Sequence, residues 1–60
     1  MNRENVVYLI HLYLLKYYIF TDVLIDNNIV YIYRCPDNHR YIIEQLVKNN
    51  LGINWEVKTC

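Results

Sequence analysis

Sixty residues, with six basic against six acidic side chains, 55% hydrophobic and 15% aromatic, leave room for one folded domain over 1–60 and exclude a second module or a disordered tail. The neutral balance also excludes strong attraction to a nucleic-acid backbone or an anionic membrane. So short a chain buries only about 60% of its unfolded surface, for which the usual remedies are a disulfide, a metal or oligomerisation. Oligomerisation is the expectation from this composition.

The first element is read as a helix over Asn2–Phe20, although its Val, Ile and Tyr also suit a strand. Asn2 can cap it, Glu4 suits its first turn, no Gly or Pro interrupts it, and Leu9, Leu12, Leu14 and Leu15 favour helix. At helical pitch Val6, Leu9, Ile10, Tyr13, Leu14, Tyr17 and Phe20 form a core face. The other side, with Tyr8, His11, Leu12, Leu15, Lys16, Tyr18 and Ile19, is only half polar. His11, Lys16, Thr21 and Asp22 interrupt the apolar run, which argues against a membrane span.

A hairpin follows: Thr21–Ile25 and Ile29–Cys35 flank a two-residue primed turn at Asn27-Asn28. That turn sets Asp26 opposite Ile29, Ile25 opposite Val30, Leu24 opposite Tyr31 and Val23 opposite Ile32. Val23, Ile25, Val30 and Ile32 then share the core face. Asp22, Leu24, Asp26, Ile29, Tyr31 and Tyr33 share the other.

Cys35-Pro36-Asp37-Asn38 breaks the strand and starts a second helix, with Asp37 or Asn38 as cap. Ile42, Ile43, Leu46, Val47 and Leu51 recur at helical spacing opposite Arg40, Glu44, Gln45, Lys48 and Asn49. Glu44 and Lys48 are placed for an i,i+4 ion pair, and Gly52 for a left-handed stop. Alternation of Ile53, Trp55 and Val57 with Asn54, Glu56 and Lys58 gives a last strand with one wet face.

The order α-β-β-α-β implies an α+β fold with two helices on a small three-stranded, antiparallel-type sheet. The final strand runs parallel to Ile29–Cys35. Sheet order 2-1-3 is favoured over 1-2-3.

Chemistry is sparse. Cys35, His39 and Cys60, even with His11, lack the tight cysteine pair of a structural zinc site, so no metal or other cofactor is expected. In order 2-1-3 a strand separates Cys35 from Cys60, whereas in order 1-2-3 they could pair; with no secretion signal evident, free thiols are expected. With no serine, one glycine and little volume for a pocket, no enzyme and no small-molecule substrate are expected.

Binding is what remains. One helix over one sheet face leaves Tyr8, His11, Leu12, Leu15 and Ile19 bare, and a second copy about a two-fold axis is the simplest cover. Asp22, Leu24, Asp26, Tyr31 and Tyr33 form a candidate surface for a further protein partner. The expectation is a homodimeric, non-enzymatic accessory or inhibitor protein that modulates a larger macromolecule. Its wealth of Ile, Asn and Tyr fits a low-GC bacterium or its phage. No secretion signal is evident, so the expected compartment is the cytoplasm. Two alternatives rank below: a weak single-stranded nucleic-acid binder using Tyr31 and Tyr33, and a membrane-associated protein using helix 6–20.

Overall fold

The computed structural model describes residues 3–60. Asn2, the expected helix cap, lies outside them. The elements are α1 (Arg3–Leu15), β1 (Val23–Asp26), β2 (Ile29–Ile32), a 3-10 turn at Asp37–His39, α2 (Arg40–Leu51) and β3 (Glu56–Thr59). The expected α-β-β-α-β order and the α+β class are both present.

Helix α1 stops five residues short of Phe20. Tyr18 takes a left-handed φ of 58°. Beside it, the Ile19 N–H donates to the Leu14 carbonyl and the Tyr18 N–H to the Leu15 carbonyl, each at 3.1 Å. These paired bonds are a Schellman stop, with tyrosine where glycine is usual. The core face of α1 is accordingly narrow: Val6, Ile10 and Leu14 are fully buried, and each contributes about 1.5–3 kcal/mol. Tyr13 packs at its margin, whereas Tyr17 and Phe20 are exposed, contrary to expectation.

The hairpin has the expected register, Val23↔Ile32, Leu24↔Tyr31, Ile25↔Val30 and Asp26↔Ile29. A φ of 55° at Asn27, and not at Asn28, places the positive angle at the first turn position, the pattern of a II′ turn. The regular strands are shorter than expected: β1 starts at Val23 and β2 ends at Ile32, where Tyr33 and Arg34 turn the chain. Arg34 takes a φ of 55°.

The sheet order is β1-β2-β3, which corrects the favoured 2-1-3, and the sheet is mixed. β3 runs parallel to β2 with Ile29↔Glu56, Val30↔Val57, Tyr31↔Lys58 and Ile32↔Thr59. The physical reason lies in β2. Its Val30 and Ile32 are fully buried and its Ile29 and Tyr31 half-buried, so both faces suit a central position. β1 exposes Leu24 and Asp26 in alternation and belongs at an edge. β3 begins at Glu56 instead of Ile53, which is exposed in the preceding turn.

Helix α2 buries Ile43 and Val47, with Leu46 and Leu51 packed alongside; Ile42 is exposed. Neither Asp37 nor Asn38 caps it. The residue before the helix is His39, whose side chain makes no cap bond. The Asp37 carboxylate instead accepts from Thr59 Oγ1 at 2.8 Å and Arg40 Nε at 3.1 Å, tying the end of β3 to the start of α2. Glu44 pairs with Arg40 at 3.5 Å, not with Lys48. Lys48 Nζ reaches past the helix end to donate to the carbonyls of Ile53, at 3.0 Å, and Trp55, at 2.6 Å. Two carbonyl acceptors take the Lys48 ammonium, while the half-buried Glu44 carboxylate is engaged by Arg40. Gly52 closes the helix with φ 133° and ψ 160°, a region essentially confined to glycine.

Both helices feed one core with Val30, Ile32, Val57, Trp55 and Cys35. No helix among the described residues is long and apolar enough to cross a membrane.

Candidate protein-interaction surfaces

On the outer side of α1, Tyr8, Leu12 and Leu15 follow one another at i, i+4 and i+7. They are 63%, 41% and 46% exposed. Ile19 does not join this stripe. It lies beyond the Schellman stop and is partly buried against the core. Phe20, 75% exposed, takes the surface position instead. His11 borders the stripe with its Nε2 buried and making no hydrogen bond among the described residues. A hollow of about 300 Å³ beside it is lined by His11, Leu15, Ile19, Phe20 and Thr21.

Among the described residues no helix covers the sheet face away from the core. Register places Leu24, Tyr31 and Lys58 in one row and Asp26, Ile29 and Glu56 in the next. The Tyr33 N–H donates to the Asp22 carbonyl at 3.2 Å, so Asp22 and Tyr33 extend the face by one further pair. The expected residues Asp22, Leu24, Asp26, Tyr31 and Tyr33 therefore stand on adjacent rows. Tyr31 is half-buried between Leu24 and Lys58, not raised as a free stacking platform. Asp22, Asp26 and Glu56 outnumber Lys58, which makes the face acidic.

The free edge of β1 is a third feature, one that sequence alone did not single out. Asp26 and Ile29 flank the two-residue turn as a hydrogen-bonded pair, and in an antiparallel ladder such pairs alternate. Leu24 and Asp22 are then bonded toward β2, as the Tyr33 bond to Asp22 bears out. Val23 and Ile25 turn their N–H and C=O groups outward. Beside them lies a hollow of about 340 Å³ lined by Arg3, Glu4, Val7, Val23, Leu24 and Ile25. The two hollows follow one another along the same flank of α1.

The titratable groups cluster elsewhere. The Tyr13 hydroxyl and His39 Nδ1 share a hydrogen bond of 3.0 Å, and the Tyr17 ring lies 4.6 Å from that imidazole. Burial, and then the neighbouring Tyr17, raise the Tyr13 phenol above its ordinary value. Burial, with Asp37 second, raises the Cys35 thiol. A buried thiol pushed upward is a poor nucleophile. This cluster pins the end of α1 to the start of α2. In the sequence the tyrosines fall on the expected core face of the first helix and His39 among isolated metal-ligand types, so no local pattern joins them.

Cys35 and Cys60 are both free. The expected separation by an intervening strand does not apply, because β2 and β3 are neighbours and Cys60 bonds to both Ile32 and Arg34. Among the described residues no group of three or more His, Cys, Asp or Glu could hold a metal ion. No protein-family model, curated protein or solved structure matches the chain.

Proposed function

We propose that this chain is a non-catalytic protein-interaction module that homodimerises through α1 and presents its open sheet face to a larger partner, as an accessory or inhibitor protein does. One observation carries this reading: Tyr8, Leu12 and Leu15 form an uninterrupted apolar stripe at the surface of a helix whose opposite side is fully buried. A two-fold axis would pair that stripe with itself, and a closed symmetric contact needs no other surface. Lys16, exposed at the border, supplies a polar rim.

Sedimentation equilibrium at micromolar concentration tests the dimer. The expected mass is twice 7.4 kDa. Leu12→Asp is expected to halve it while leaving the far-UV circular dichroism unchanged. A wild-type protein that stays at 7.4 kDa up to hundreds of micromolar sinks the reading.

A further inference from the structure

The free edge of β1 has a recognition chemistry of its own. We infer that it is a strand-addition site for an extended protein segment of pattern basic–apolar–apolar–apolar–basic. The inference rests on the open sheet face meeting a protein, but not on the α1 dimer.

The outward N–H and C=O groups of Val23 and Ile25 offer two donors and two acceptors, enough for four bonds to an antiparallel strand. A strand lying there sets its central residue opposite Leu24. The residues on either side of that centre fall opposite Val23 and Ile25, and so point toward the helix side of the sheet. There the hollow of about 340 Å³ against Val7 receives an apolar side chain. The two end residues fall opposite Asp22 and Asp26, both exposed. Lysine or arginine at those positions would pair with the carboxylates across the strands.

The same charges disfavour a second copy at this edge. Two β1 strands making the full four bonds place Val23 opposite Ile25 of the other copy. That register sets Asp22 directly against Asp26 twice, and like charges directly opposite are destabilising. The edge is guarded against itself and open to a basic strand.

The test titrates the isotope-labelled protein, at low salt, with capped Lys-Val-Leu-Val-Lys and Glu-Val-Leu-Val-Glu peptides. The readout is protection of the Val23 and Ile25 amides from hydrogen exchange. The lysine peptide is expected to protect both amides and to bind about ten-fold more tightly than the glutamate peptide. The double variant Asp22→Lys/Asp26→Lys is expected to reverse that order. A lysine peptide N-methylated at the amides facing β1 is expected to lose protection altogether. Equal binding of the two charge forms, or undiminished binding after N-methylation, overturns the inference. So does protection of both amides in peptide-free protein that disappears on dilution, which assigns the edge to a second copy, or stronger protection by single-stranded oligothymidine. Sedimentation of the same samples keeps the two proposals apart. A monomer that binds the lysine peptide defeats only the α1 dimer, and a dimer that ignores it defeats only strand addition.

Discussion

Replacing Tyr18 by glycine should stabilise the protein. Tyr18 holds a φ of 58°, and a left-handed backbone costs an L-residue about 1–2 kcal/mol because Cβ crowds the following carbonyl. Glycine has no such cost but loses about 0.5–1 kcal/mol more conformational freedom on folding. The Tyr18 ring is 85% exposed, so little burial is lost with it. The balance is a gain of about 0.5–1 kcal/mol, or about 4–8 °C in Tm for a domain this small. Thermal unfolding followed by circular dichroism, at several concentrations, measures it. Tyr18→Ala is the control, because it removes the ring yet keeps the unfavourable φ. If the glycine variant proves no more stable than the alanine variant, the strain is not at Tyr18 and the explanation of the helix stop fails.

Three other perturbations probe the remaining joints. Gly52→Ala should cost about 1–3 kcal/mol in chemical denaturation. Backbone conformation alone is responsible, since an added Cβ would meet Trp55 at an ordinary 3.8 Å. Lys48→Met should cost about 1–2 kcal/mol, because it strips a charged donor from two carbonyls of the α2–β3 connection, measured by urea midpoint. The Asp37 carboxyl is held below its ordinary value, first by the Thr59 hydroxyl and then by Arg40. Its folded pKa therefore lies below the unfolded one. The stability it confers is complete above the unfolded value and is lost as pH falls through the folded value. Asp37→Asn should flatten the acid limb of stability between about pH 5 and about pH 2, followed by urea midpoints. An unchanged limb would show that another carboxylate dominates.

Elements whose information is local were legible before the fold was known. The hairpin register follows from period-two alternation and a turn that Asn27 can occupy, and all four pairs are found. α2 is readable because Ile43 and Val47 recur on a face opposite charged residues. What escaped depends on distant partners. The end of α1 turns on Tyr18 adopting a left-handed angle for which tyrosine carries no signal. The sheet order depends on which strand must bury both faces, and the apolar run Ile29–Ile32 was the clue in β2. Local spacing sets Lys48 beside Glu44 and Asp37 at the start of α2, whereas their partners Trp55 and Thr59 come from the β3 side. At the candidate surfaces, Tyr8, Leu12 and Leu15 were identifiable from helical spacing, but the exchange of Ile19 for Phe20 required knowing where α1 stops.

The parallel pairing of β2 with β3 has a consequence for how the chain reaches this state. A two-residue turn lets β1 and β2 meet within microseconds, but Ile29 cannot find its far-downstream partner Glu56 until the whole intervening stretch has closed. The hairpin is thus a template assembled early, and the docking of the last strand sets the rate. Weakening Val57, which pairs with Val30 in that docking, should therefore slow folding, as refolding kinetics would show.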